Sequence, residues 1–300
     1  MSKVTDGSYG SHGVPVGADW VVGVKASGPN VKELLFSDLR QFTNMAQATG
    51  TDADTPMAIN TLYVVDMSAW ATADRTYTLP ATAAVGDRIG IMVTAGDASH
   101  ELLITAASGD TLNGIAGGTE WSRLFITNEV VIMRCIVANA TWVVENDGRI
   151  PMVGLLRLTT AATGEAAATY TAPASSGGAW TADVDVGSIA STANGTFTPR
   201  RACRANMVCT GKAGAAVADG QYFGVRIYKN SADSYGIPLL YSSGASQFST
   251  VMTLVGSLPC AAGDVFAYNY RSQAGSIGLQ SSATVANTIP TLFSFEEILI

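Results

Sequence analysis

Short runs that alternate apolar and polar residues, each closed by Gly, Pro, Asn or Ser, set the tightest limit on what this chain can fold into. In the last third, Gln221-Tyr-Phe-Gly-Val-Arg-Ile-Tyr-Lys-Asn230 puts Phe223, Val225 and Ile227 on one face and Tyr222, Arg226 and Tyr228 on the other. Ala262-Gly-Asp-Val-Phe-Ala-Tyr-Asn-Tyr270 lines up Phe266, Tyr268 and Tyr270 in the same way. Gly195-Thr-Phe-Thr-Pro199 and Leu292-Phe-Ser-Phe-Glu-Glu-Ile-Leu299 are two further runs of this kind. Period-two patterns bounded by turn residues are strands, not helices. The expected fold class is all-β.

The same rhythm fills residues 53–148. Leu62-Tyr-Val-Val-Asp66, Arg75-Thr-Tyr-Thr-Leu-Pro80, Asp87 to Thr94, Leu102-Leu-Ile-Thr105, Glu129 to Ala138 and Thr141-Trp-Val-Val-Glu145 read as strands, with Gly-Asp and Asn-Gly turns about every ten residues. That spacing predicts a compact β-sandwich or barrel module. Residues 1–52 differ. Residues 1–18 are Gly- and Ser-rich without a period, and Trp20-Val-Val-Gly-Val-Lys25 is a short strand. Asn30 with Glu33 has capping-box spacing, so either a helix over 31–46 or a strand through 34–36 followed by a helix at 37–42 is expected. So small a unit cannot bury its own apolar face and is expected to serve as an anchor. Pro151 opens an apolar strand or turn over Met152 to Leu158, and Thr159 to Gly178 is Ala, Thr, Ser and Gly around Pro173, so residues 149–179 read as a neck between the module and a head spanning 180–300.

The order and spacing of the head segments resemble the jelly-roll heads of the complement-globular-head and tumour-necrosis-factor-like superfamily. The resemblance rests on Gly195-x-Phe197-x-Pro199, on Ala262-Gly-Asp-Val265 before a late strand, and on the closing Phe293-x-Phe295 strand. One departure stands out: where that family has Gly-x-Tyr shortly after the Pro, this chain has Ala202-Cys203-Arg204. The resemblance implies a homotrimer of jelly rolls with no enzymatic activity. It places Phe197, Phe293 and Phe295 near the three-fold axis. Asp19-Trp-Val-Val-Gly-Val24, followed by a Leu-rich element ending in Asp38-Leu39, is similar to N-terminal segments of short phage fibre proteins. The string Tyr77-Thr-Leu-Pro80, Val85-Gly-Asp-Arg-Ile89 and Gly109-Asp-Thr-Leu-Asn-Gly114, closed by Trp142-Val-Val144, is similar to a module of phage tail and head fibres.

Composition narrows the partners. Only 14% of the residues are charged although 47% are hydrophobic, which fits a chain that covers much of its surface with identical copies or a larger assembly. A net charge of −7 argues against a nucleic-acid partner, which needs clustered Lys and Arg. The one basic knot, Arg200, Arg201 and Arg204, is expected to form a solvated or inter-subunit salt-bridging face. Four cysteines (Cys135, Cys203, Cys209, Cys260) show no metal-ligand spacing. Cys203 and Cys209 on one strand would lie roughly 20 Å apart, too far for a disulfide. Reduced, buried thiols are expected. Met1-Ser-Lys-Val-Thr-Asp-Gly has no apolar signal region, and no run approaches the ~18 apolar residues of a membrane span, so synthesis in the host cytoplasm without membrane insertion is expected.

Chemistry is sparse. Of the two histidines, His12 falls in the irregular N-terminus and His100 in a loop. Nucleophile elbows, zinc-protease helices, P-loops and dinucleotide fingerprints are absent. Asp183 and Asp185, two apart on a strand, would be roughly 6.6 Å apart, a separation that glycan-cleaving fibres use but that any alternating acids produce. No catalytic residue, cofactor or metal is expected. The polar-aromatic loop 229–240, with Asn230, Asp233 and Tyr235, is the expected receptor contact. The functional expectation is a bacteriophage virion protein, a trimeric fibre or spike on the tail or capsid. It would dock on other virion proteins through residues 1–52 and touch a host-surface glycan or protein with its head. A glycan-degrading tailspike and a secreted adhesin are the rival readings.

Overall fold

The computed structural model describes residues 45–71, 73–163, 170–213, 221–235, 239–241, 250–272, 279, 281 and 291–299. The strand at 20–25 and nearly all of the helix expected over 31–46 lie outside these residues; Ala46, its last position, begins a strand.

The first unit winds as a coil. Strands β1 (Ala46–Thr49), β2 (Thr55–Pro56), β3 (Thr61–Asp66), β4 (Arg75–Thr78), β5 (Arg88–Ala95) and β6 (Leu102–Thr105) alternate between two sheets. The odd strands run parallel in one sheet and the even strands run parallel in the other. Parallel neighbours need a crossover between them, and here each sheet supplies the crossover for the other. After β7 (Thr111–Leu112) and β8 (Ile115–Ala116), the antiparallel strands β9 (Glu120–Leu124), β10 (Val130–Val137) and β11 (Thr141–Gly148) close the unit. Of these, β9 pairs with β6, β10 with β5 and β11 with β10. Alternate residues Ile89, Ile91 and Val93 of β5 and Val131, Met133 and Cys135 of β10 face one core that also holds Tyr63, Tyr77 and Trp142, whereas Val137, expected on the same face as Val131, is half exposed at the end of β10. Two sheets round one core agree with a sandwich-like module, whereas the parallel coil was not foreseen. Its turns are unequal: Ala46 lies beside Thr61, and Thr61 beside Ile89. No sequence period marks them. The anchor expected to end at residue 52 gives β1 to this unit.

The second unit contains β12 (Val153–Thr160), β13 (Ala179–Val186), β14 (Ala190–Ser191), β15 (Thr196–Phe197), β16 (Cys203–Lys212), β17 (Tyr222–Lys229), β18 (Asp233–Tyr235), β19 (Leu239–Tyr241), β20 (Thr250–Cys260), β21 (Phe266–Ser272) and β22 (Leu292–Ile298). One sheet has the order β13-β12-β22-β16-β20, and the other β14-β15-β21-β17-β18 with β19 also on β17. From β15 onward the chain crosses repeatedly between the two sheets, which makes the head a jelly roll. The expected neck is corrected here, because Val153–Thr160 is an inner strand paired with both β13 and β22. Leu156 and Leu158 point into the core from it, so the head begins at Val153.

The three phenylalanines assigned to a three-fold axis are also corrected. Phe197, Phe293 and Phe295 have no exposed surface within the single chain and pack on one another between the sheets, with Phe197 centred 4.7 Å from Phe293 and 5.9 Å from Phe295. A side chain enclosed by its own chain cannot meet a neighbour. Gly154 is what lets this cluster close: a Cβ there would sit 2.2 Å from Phe197 Cε1. Gly154→Ala is therefore expected to cost about 1–3 kcal/mol as overpacking. A urea midpoint equal to that of the parent would show that the ring can step aside.

Candidate functional site

A β-sheet in a two-sheet head has one face in the core and one face outside, and the outside face of the five-stranded sheet is the notable one. Cross-strand register carries a row over all five strands, from Val184 to Leu155, Ser294, Val208 and Leu254. The next row runs Thr181, Arg157, Leu292, Thr210 and Met252. Leu155, Val208 and Leu292 are half-buried, whereas Met252 and Leu254 on the outermost strand β20 are 64% and 67% exposed. The first row carries no charged side chain. Arg157 pairs with Asp183 at 2.7 Å on one side, and Arg204 and Glu296 lie towards the end nearest the first unit. Adjacent apolar side chains on an outer sheet face are the kind of surface that a second chain can cover. None of the apolar residues of these rows was singled out from the sequence as a surface. The signal was present in the polar-side positions of β12, β16, β20 and β22, which hold Leu, Val and Met where a solvated face would hold Lys or Glu.

Of the loop expected to touch a receptor, residues 229–235 form a tight turn, and residues 236–238 lie outside the described residues. Asn230 and Ser231 take left-handed φ of 51° and 60° between β17 and β18. The Asn230 side chain donates to Asp264 Oδ1 at 2.8 Å and accepts from the Val265 N–H at 2.8 Å. Asn230 is thus spent on holding two loops together, beside the 2.8 Å pair of Lys229 and Asp264. Asp233 stands opposite Lys229 in the register, and half-buried Tyr235 opposite Ile227.

The basic knot is corrected outright. Arg201 has no exposed side-chain surface, and Arg200 is 8% exposed. Arg201 leaves the head just before β16 and enters the first unit. Its Nη1 donates to Glu129 at 2.5 Å, and its Nε and Nη2 donate to Glu297, each at 2.8 Å. The backbone oxygens of Arg123 and Ile150 take the remaining N–H groups, so all five donors are used. Glu129 in turn accepts from the Phe125, Ile126 and Ile150 N–H groups. Burial works against the Arg201 charge, but the hydrogen bonds and charges of Glu297 and Glu129 outweigh it and hold its pKa above the ordinary value. Arg200 pairs with Glu101 at 2.8 Å and donates to the backbone oxygens of Asp97 and His100. Its guanidinium lies 4.3 Å from the centre of the Phe125 ring. Only Arg204 keeps to the outer surface, bonded to Ser257. This junction, not a subunit face, is where the cluster works.

The acids weighed as a glycan-cleaving pair have structural roles. Asp183 holds Arg157, which lowers its pKa, and Asp185 caps the Ile189 and Ala190 N–H groups. A bulge between the Leu155–Val184 and Leu156–Ala182 pairs also breaks the alternation that would set them on one face. Among the described residues no cluster of His, Cys, Asp or Glu has the makings of a metal site.

Several other carboxylates are tuned towards ionisation. Burial opposes the charge of Asp147 and of Asp264, but Arg149 in the first case and Lys229 with Asn230 in the second overcome it and lower both pKa values. Arg88 does the same for Glu145 through a paired hydrogen bond. A carboxylate with a depressed folded pKa adds stability above its unfolded pKa and loses it as pH falls through the folded value. Stability is therefore expected to be level near neutral pH and to fall below about pH 4. Urea midpoints taken between pH 7 and pH 3 check this, and a midpoint that rises on acidification would contradict it.

No protein-family model matches the chain, and no curated protein matches it. Solved structures similar to it include murine APRIL, at 10% identity over 50% of this chain and 100% of that one, with a TM-score of 0.35. The Eiger TNF of S. frugiperda is 14% identical over 50% of this chain and 94% of its own, with a TM-score of 0.33. The globular domain of zebrafish complement 1qA is 12% identical over 48% and 93%, with a TM-score of 0.28. Likenesses this slight add no weight; the jelly roll rests on the strand order given above.

Proposed function

We propose that this protein is a non-enzymatic, trimeric attachment protein of a bacteriophage particle, a short fibre or spike. The residues before β1 dock on the virion, the coiled β unit acts as a spacer, and the jelly-roll head faces the host surface. The observation that carries the reading is the uncharged row Val184, Leu155, Ser294, Val208 and Leu254 across the outer sheet face. A single chain leaves that row in water, and identical neighbours placed round an axis would cover it. The low charged fraction of 14% supports extensive coverage by like copies, and the sequence similarity to fibre modules supports the phage setting. Three heads on one axis would add weak contacts by avidity.

A competition assay tests the role. Purified full-length protein, added to host cells before the phage that encodes it, is expected to reduce adsorption in proportion to occupancy. Undiminished adsorption at saturating protein would exclude attachment as the function.

A further inference from the structure

Cys203 is the first residue of β16 and Cys260 the last of β20, and the antiparallel register sets them directly opposite each other. Opposed residues of an antiparallel pair share a face and have Cα atoms about 4.5–5.5 Å apart, within the ~4.4–6.8 Å that a disulfide can bridge. The Cys260 thiol donates to the Leu258 backbone oxygen at 3.3 Å. Cys203 is half-buried and forms part of the wall of a cavity of about 100 Å³ with Trp121, Arg149 and Ala202, whereas Cys260 is 5% exposed. The neighbouring Cys203 lowers the Cys260 pKa, with Lys229 adding to the effect against the cost of burial, whereas Cys260 and burial raise the Cys203 pKa. The other two thiols are isolated: Cys135 lies in the core of the first unit, and Cys209 is buried opposite Thr253.

We propose that Cys203 and Cys260 are a disulfide-forming site, closed by exchange with a small disulfide of the glutathione class once the protein meets an oxidising solution. Cys203 is the sulfur that such a molecule can reach. It gives its proton to water and attacks one sulfur of the reagent, whose S–S bond breaks and releases a thiolate that takes a proton up. Cys260 then gives up its proton and attacks Cys203 Sγ, expelling the second thiolate. Two electrons pass from the protein dithiol to the reagent, which leaves as two thiols carrying the two protons. In a reducing compartment the pair stays open. Closed, it pins the end of β20, the strand that carries Met252 and Leu254, to the start of β16 two residues beyond Arg201.

Incubating the full-length protein with oxidised glutathione, blocking the remaining thiols and mapping unreduced peptides tests the site. The expected map joins the Cys203 and Cys260 peptides, with Cys135 and Cys209 recovered as blocked thiols. Four blocked thiols, or a bridge to Cys135 or Cys209, would overturn the proposal. Cys260→Ala is expected to stop at a stable glutathione adduct on Cys203, and absence of that adduct would contradict Cys203 as the sulfur attacked first. Should that variant fail to fold, the map of the parent protein still decides.

Discussion

Replacing Arg201 by methionine is expected to lower the unfolding free energy by about 3–5 kcal/mol, the usual cost of stranding buried carboxylates without their cation. Glu129 and Glu297 have essentially no exposed side-chain surface, and both would lose the only guanidinium that pairs with them among the described residues. The comparison that isolates this cause adds Glu129→Gln and Glu297→Gln to the same chain. Neutral amides remove the uncompensated charge, so the triple variant is expected to recover much of the loss. Arg204→Met supplies the scale for an arginine of the same cluster that stays at the surface, where a change within about 1 kcal/mol is expected. Urea unfolding reads all three. An Arg201→Met loss no larger than that of Arg204→Met would mean that the junction does not hold the two units together.

Leu254→Asp is expected to turn trimer into monomer. Leu254 is 67% exposed in the single chain, so the substitution should leave the fold intact and act on assembly alone. If the leucine is buried between copies, its loss costs about 2 kcal/mol per chain. Three equivalent sites then weaken association on the order of 10⁴-fold, before the added cost of enclosing a carboxylate. Val85→Asp is the control, being equally exposed at 67% but placed on the first unit. It should assemble as the parent does. A trimer that survives Leu254→Asp would clear the outer sheet face of any part in assembly.

What could be read from the sequence follows from what alternation reports. Period-two patterning announces a strand and its buried face, which is why Phe223, Val225 and Ile227 and Phe266, Tyr268 and Tyr270 are as expected. It does not say what that face meets. Phe197, Phe293 and Phe295 were placed at a symmetry axis although the opposite sheet of the same chain covers them. The apolar run Met152 to Leu158 is legible as a strand or turn, but the Ala- and Thr-rich residues after it put it with the neck instead of the head. The parallel coil escaped because its turns differ in length. The role of Arg201 was out of reach for another reason: its partners Glu129 and Glu297 lie 72 and 96 residues away. Local charge patterning sees three arginines in a row of five and nothing of the acids that bury two of them.

The most direct measurement is the mass of the full-length protein in dilute solution, by sedimentation equilibrium at neutral pH. The chain weighs 31.0 kDa, and three times that mass is the predicted result, independent of protein concentration over the micromolar range. A mass of 31.0 kDa at every concentration would contradict the account at its centre, leaving the row from Val184 to Leu254 as a surface that no second copy covers.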